Sequence, residues 1–179
     1  MSIEKVRSWL AGFGAADRIL EFPVSSATVE LAAQALNCEP CRIAKSLSFG
    51  VHDTPILIVT AGDARVDNAK FKARFGVKAK MLSHEDAAQR IGHAVGGVCP
   101  FAVNDGVEVY LDVSLKRFPT VFPAAGSSNS AIPLTIPELE QFSGFLGWVD
   151  VCKAWQNEKK SKVNSNFKHF PVRQVIMIS

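Results

Sequence analysis

Two stretches of the chain carry residue types that can do chemistry. The first is Arg42-Ile43-Ala44-Lys45-Ser46-Leu47-Ser48-Phe49. Alternation with a period of two is a strand signature, so Ile43, Lys45, Leu47 and Phe49 share one face and Ala44, Ser46 and Ser48 the other. An ammonium on an otherwise apolar face is costly to bury alone. Either Lys45 snorkels to water along its own stem, or an anion meets it. The second stretch is Gly92-His93-Ala94-Val95-Gly96-Gly97-Val98-Cys99-Pro100-Phe101. Its three glycines do not suit the interior of a helix or strand. Pro100 removes one backbone donor and restrains Cys99 towards extended geometry. Gly96 and Gly97 lack a Cβ, so a ligand can approach the main chain there and meet bare N–H groups. A glycine-rich turn that lets two elements meet explains the same residues, and on local grounds both readings stand.

No nucleophile–base pair is legible. Cys99 and His93 invite a cysteine-hydrolase reading, but they lie six positions apart and no helix N-terminus is at hand to lower the thiol pKa. Lining a pocket is the better reading for Cys99. Cys38-Glu39-Pro40-Cys41 is formally a CxxC. A structural zinc site wants a second pair, and Cys99 and Cys152 stand alone, so no metal and no cofactor is expected. Arg65, Lys70, Lys72 and Arg74 make the most basic window in the body of the chain. They suit contact with RNA phosphates, although Asp67 and Lys70, three apart on a helix, also suit a surface ion pair. Asp112 reads as a structural acid at a strand end.

Elements must position these groups. Ile3, Val6, Trp9 and Leu10 have helical spacing, ended by Gly12 or Gly14. Asp17 to Val24 is short and extended. Thr28 caps a helix to Leu36, and Asn37 ends it. The lysine strand, Arg42 to Val51, is followed by a turn and by a β-branched run, Ile56 to Thr60. A helix then ends at Gly76, Lys78 to Leu82 is a short strand, and Ser83 caps a helix from His84 to Ile91. Beyond the glycine loop come a strand at Val107 to Val113, a helical turn at Ser114 to Arg117, and strands at Thr120 to Ala125 and Ile132 to Thr135. Pro137 opens a helix through Phe142. Irregular alternation with hairpin-like strand pairs predicts a mixed α/β (α+β) domain, its sheet mixed and mostly antiparallel, flanked by helices.

The 179 residues, 47% hydrophobic and 21% charged, fit one globular domain with a real core. A net charge of +3 permits a polyanionic partner without demanding one. No apolar run approaches the roughly 20 residues of a membrane span, and the N-terminus reads as an amphipathic helix. The unpaired cysteines read as thiols of a cytoplasmic protein. From Gln156 the composition turns basic with little periodicity, and the domain is placed at 1–153 with a basic tail at 154–179.

The chain resembles the YbaK/ProX (also EbsC) family of free-standing aminoacyl-tRNA deacylases, relatives of the editing domain of prolyl-tRNA synthetases. Carrying the resemblance are Thr28-Val29-Glu30-Leu31-Ala32-Ala33, Ile43-Ala44-Lys45-Ser46-Leu47, Ala61-Gly62-Asp63 with Val66-Asp67 and Lys70, Gly92 with Val95-Gly96-Gly97-Val98-Cys99-Pro100-Phe101, and Val121 to Ala125 with Gly126. It covers roughly Val6 to Lys153. It implies a curved mixed sheet and hydrolysis of a mischarged small aminoacyl ester (Cys, 2-aminobutyrate, Ala or Ser), typically on tRNA for proline. Prolyl-tRNA synthetase is a further candidate partner; a membrane and DNA are not. The essential lysine of the family maps to Lys45 and its carbonyl-holding loop to Gly96, Gly97 and Val98. Ser46, at a position that differs between alanine and cysteine editors, is closer to the latter. The loop after Gly126 departs from the histidine-bearing version of some alanine editors. The substrate pocket is expected to draw on Ser46, Val98, Cys99, Pro100, Phe101, Phe22 and Gly126, with Val29, Leu47 and Val95 as further wall candidates, and the tRNA contact on Arg65, Lys70, Lys72 and Arg74. A non-catalytic module that binds aminoacyl-tRNA or a synthetase is the rival reading.

Overall fold

A computed structural model describes residues 2–156. Helix α1 (Ser2–Ala11) buries Ile3, Val6 and Leu10, and a 3-10 turn leads to β1 (Leu20–Glu21). α2 (Val29–Leu36) starts where the Thr28 hydroxyl accepts from the Leu31 amide and stops where Asn37 turns left-handed at φ 50°. A hydroxyl satisfies an orphan amide at one end, and asparagine tolerates positive φ at the other. β2 (Ile43–Val51) and β3 (Thr54–Ala61) form a long hairpin. β4 (Arg65–Val66) precedes α3 (Asn68–Phe75), which Asp67 caps and Gly76 ends. α4 (His84–Asp86), capped by Ser83, runs into a π-helical turn over Ala87–Ile91. After β5 (Glu108–Asp112) and a 3-10 turn over Val113–Arg117 come β6 (Thr120–Pro123), β7 (Ser130–Ala131) and β8 (Leu134–Thr135). Thr135 and Glu138 cap α5 (Ile136–Ser143) reciprocally. β9 (Gly147–Val149) and β10 (Cys152–Lys153) follow.

The fold is a mixed α/β one, a curled mixed sheet flanked by helices. Six strands lie in the order β8-β6-β2-β3-β5-β9, and β1 with β7 and β4 with β10 make two small ribbons. Pairing is antiparallel in both ribbons, in β2–β3 and in β6–β8, and parallel in β2–β6, β3–β5 and β5–β9. Antiparallel pairings therefore outnumber parallel ones only when the ribbons are counted. β3 is central and packed on both faces, which is why Ile56, Leu57, Ile58 and Val59 form an unbroken apolar run.

β2 is different on its two flanks. β3 covers one flank along its whole length. On the other flank β6 pairs only with Ile43 and Ala44. The segment after α3, expected as a short strand, makes one bridge, Phe49 to Met81, at the far end. Between these two partners the flank has no strand beside it.

The glycine loop is seated main chain against main chain. A Cβ on Gly97 would lie 2.7 Å from Gly126 C and Ser127 N, and one on Gly126 (φ 94°) would lie 2.8 Å from the Ser2 carbonyl oxygen. Only glycine permits both approaches. His93, 1% exposed, ties the assembly together. Its Nε2 donates to the Phe101 carbonyl at 2.7 Å, so Nδ1 is the acceptor for the Ser2 hydroxyl of α1.

Burial is the main cause that depresses the His93 pKa below its ordinary value, and Lys5 adds to it, while the Phe101 carbonyl opposes. An unfolded chain would therefore take up this proton before the folded one. Stability from His93 is complete above about pH 6.5 and is lost as pH falls below it. Thermal melting from pH 8 to pH 5 is expected to show this decline, and His93→Gln a shallower one. Equal slopes would place the pH dependence elsewhere.

Candidate functional site

The unpaired middle of β2 is the floor of a cavity of about 320 Å³. Ser26 to Val29 and Ala32 of α2 wall one side, and Met81, Leu82, His84 and Ala87 another. Val95, Gly96 and Val98 close over it from the glycine loop, with Phe122, Ala124, Ser130 and Ala131 behind. Six of the lining residues are alanines: Ala27, Ala32, Ala44, Ala87, Ala124 and Ala131. Lys45 and His84 are the titratable side chains among the lining, which holds no Asp or Glu. A shallower hollow of about 360 Å³ adjoins it, shares Lys45, Leu47 and Met81, and brings in Phe49, Ala64, Arg65, Val66, Asn68 and Ala79.

Lys45 is half-buried, and its ammonium is held by peptide dipoles. Nζ donates to the Gly62 carbonyl at 3.2 Å and to the Ala64 carbonyl at 2.5 Å, and no carboxylate pairs with it among the described residues. Burial pushes its pKa below the usual lysine value, and nearby Arg65 adds to this while Asp63 opposes. The result is a positioned cation with donor capacity left for an incoming anion.

The turn that holds Lys45 is itself clamped. Arg117 meets Asp63 with two parallel hydrogen bonds, at 3.0 and 2.5 Å. The guanidinium also donates to the Ser114 and Trp155 carbonyls at 3.0 and 3.2 Å and lies over the Phe118 and Trp155 rings. The Ala61 amide donates to the Ser114 hydroxyl at 3.0 Å. A Cβ on Gly62 would lie 2.0 Å from the Pro40 carbonyl oxygen, so this glycine is a close-packing requirement. Bidentate arginine–carboxylate geometry fixes orientation as well as distance. Nothing in the sequence connects Arg117 with Asp63, 54 residues apart.

Several expected site residues lie elsewhere. Of the loop, Gly96 and Val98 line the cavity and their amides have no protein partner among the described residues. Gly97 is buried against Gly126 and Ser127, and its amide donates to the Ala94 carbonyl at 3.0 Å. Cys99 and Phe101 belong to the main core, Pro100 is buried, and none of the three lines the cavity. Burial pushes the Cys99 thiol up to about 12, so it stays protonated although His93 Nε2 is 3.7 Å away. Phe22 is hydrogen-bonded through its main chain to Asn129, Gly126 packs on α1, and neither lines the cavity. Val29, Leu47 and Val95 do line the cavity. Asp112 is buried, accepting from the Ser114 and Val151 amides at 3.0 and 2.9 Å, a structural acid in its geometry.

The basic window divides in the same way. Arg65, Lys72 and Arg74 are exposed, and Arg74 also lies over the Phe75 and Tyr110 rings. Lys70 does not pair with Asp67. Its ammonium binds Asp150 at 2.9 Å and the Cys152 carbonyl at 3.1 Å, while Asp67 caps α3 and faces Lys153 at 3.6 Å. Of the expected tail, Trp155 still packs on the core, and 157–179 lie outside the described residues. No helix is long and apolar enough to cross a membrane among the described residues.

Comparison with known proteins places this geometry. The aminoacyl-tRNA editing domain family matches residues 24–142. An uncharacterized protein, YwhH, of Bacillus subtilis (strain 168) is 54% identical over 157 residues, 87% of this chain and 100% of that protein. A proline–tRNA ligase of Bacillus velezensis is 29% identical over 90 residues, 50% of this chain but 16% of that enzyme. Among solved structures, a crystal structure assigned provisionally as a trans-editing enzyme for prolyl-tRNA synthetase superposes with a TM-score of 0.77 at 29% identity, over 85% of this chain and 97% of that one. With the matched span running from the segment between β1 and α2 into α5, and with the lysine, its clamp and the cavity all inside it, the chain belongs to the aminoacyl-tRNA editing domain family.

Proposed function

We propose that the protein is a free-standing deacylase, which hydrolyses the ester between a small mischarged amino acid and its tRNA, with tRNA for proline as the carrier. The observation that carries this reading is Lys45: a cation oriented by two carbonyls at the edge of a small, alanine-walled cavity. The likeness to proline–tRNA ligases and to a trans-editing structure supports the choice of carrier.

An aminoacyl ester is already activated, so orientation and charge stabilisation suffice. The acyl group enters the alanine-walled cavity. The Gly96 and Val98 amides serve as donors to the developing oxyanion, in place of the Gly97 amide, which is already engaged. Lys45 holds the 3′-terminal phosphate or stabilises charge at the ester. A water oxygen adds to the ester carbon, the bond to the ribose oxygen breaks, and the proton of the water ends on that oxygen. Free amino acid and free tRNA are the products. A substrate thiol or a ribose hydroxyl beside the ester can assist, because no hydroxyl of the lining is hydrogen-bonded to a histidine or carboxylate base among the described residues. Arg65, on the rim of the adjoining hollow, leads the RNA backbone away, with Lys72 and Arg74 beyond it. Lys70, tied to Asp150, contributes less.

Three measurements check this reading. Deacylation of tRNA for proline charged separately with Cys, Ala, Ser, 2-aminobutyrate and Pro is expected to remove one small non-cognate residue selectively. Lys45→Ala should lower that rate roughly 10²- to 10³-fold with an unchanged melting temperature; an unaltered rate rejects the mechanism. Binding without turnover identifies a recognition module instead.

Arg117→Ala is expected to lower kcat by about 10- to 100-fold with little change in KM, because Lys45 is misplaced and not lost. Arg117→Lys should recover only part of it, since lysine lacks the bidentate fork. Arg65→Ala should raise KM and flatten its dependence on salt by about one phosphate contact. An unchanged salt slope places the RNA elsewhere.

A further inference from the structure

The floor of the cavity is an interrupted sheet edge, and the interruption is one residue long in hydrogen-bonding terms. In an antiparallel pair, residues alternate between those whose N–H and C=O face the partner strand and those whose groups face away. On β2 the even-numbered residues face away from β3. The Leu82 amide donates to the Ser48 carbonyl at 3.0 Å, and the Gly50 amide donates to the Lys80 carbonyl at 3.1 Å. Ala44, at the other end, meets Pro123 of β6 on that same flank. Ser46 lies between, and its N–H and C=O have no partner among the described residues. Ser46 is half-exposed while its Oγ is inaccessible and unpartnered. What the residue presents to the cavity is therefore its backbone and Cβ.

An unpaired backbone donor and acceptor at the bottom of a cavity need partners. Extended peptides meet such edges by adding a strand. This gap has room for a single residue, because β6 closes one end and Lys80 to Leu82 the other. An aminoacyl ester has the matching pair of groups, an α-amino N–H and an acyl carbonyl. A cavity lining without Asp or Glu leaves main-chain oxygen as the natural acceptor for the amine.

Resting on the deacylase reading, we infer that the amino acid of the ester docks as a one-residue edge strand on Ser46, its α-amino group donating to the Ser46 carbonyl and its acyl carbonyl accepting from the Ser46 N–H. Recognition is then of the amino acid backbone, and the alanine walls judge only the side chain. The carbonyl so held also faces the Gly96 and Val98 amides on their loop. A substrate lacking the α-amino group leaves the Ser46 carbonyl desolvated and unpaired, which costs more than the absence of an attraction.

The test compares each small aminoacyl ester with its desamino counterpart on the same tRNA: alanyl with propionyl, and cysteinyl with 3-mercaptopropionyl. Enzymatic rates are divided by spontaneous hydrolysis rates, because the amine itself activates the ester. The normalised kcat/KM of the desamino ester is expected to be at least about tenfold lower, the range of a hydrogen bond to a charged group. Ser46→Pro, tolerated on an unpaired edge, removes the N–H and keeps the carbonyl. It should lower kcat/KM for both esters roughly tenfold while keeping the preference for the amine. Equal normalised rates for the amino and desamino esters overturn the edge docking and leave the deacylase standing. Hydrolysis of no ester overturns the deacylase reading, and the docking with it. If Ser46→Pro fails to fold, the comparison in the wild-type protein decides alone.

Discussion

Everything at the site depends on β2 having a full partner on one side and a broken one on the other. The long pairing with β3 fixes the position of Lys45 to within a register that cannot slip without sending its ammonium to the opposite face. The broken flank provides the cavity. A continuous sheet would have filled that space with another strand, and a free edge would have exposed it to water and to other chains. Here β6 and the Lys80 to Leu82 segment stop short from opposite ends, and two loops and α2 roof the gap.

Charge is handled with dipoles on this scaffold. Lys45 is oriented by carbonyls, which leave it a net cation, whereas a carboxylate would have neutralised it and competed with any incoming anion. Asp63, the nearby acid, is engaged by Arg117 in two hydrogen bonds, and Asp112 by two backbone amides. The acids around the site therefore serve to hold main chain in place. The thiol nearest the loop, Cys99, is kept protonated by burial and takes no part.

Local chemistry was legible in the sequence wherever one residue decides the outcome within a few positions. Thr28 and Ser83 cap their helices, Asn37 and Gly76 end theirs, Pro137 opens α5, and the alternation around Lys45 is a strand with the expected faces. What sequence could not supply was set by distant pairing. Gly97 reads like its neighbour Gly96, yet its use is to let the loop lie on Gly126 and Ser127. Cys99 to Phe101 read like pocket residues because they adjoin the loop, but the loop turns and sends them into the core. Lys70 finds Asp150, not the acid three residues before it. The gap opposite Ser46 needs β6 and Met81 to be placed at once, and no local pattern encodes it.

The alanine walls have a consequence for how such a protein can change. Alanine already carries the smallest side chain short of glycine, and a glycine at Ala32 inside α2 would weaken the helix. Glycine apart, substitution at these six positions can therefore only narrow the cavity, by a methyl or more at each step, while the lysine, its clamp and the sheet edge stay untouched. Substantial widening requires trimming larger lining residues such as Val29, Ile43, Leu47, Leu82, Val98 or Phe122, which also pack on the hydrophobic clusters. Descendants of this chain can drift towards smaller substrates by many independent single replacements. The path to larger ones is narrow and runs partly through residues that support the fold.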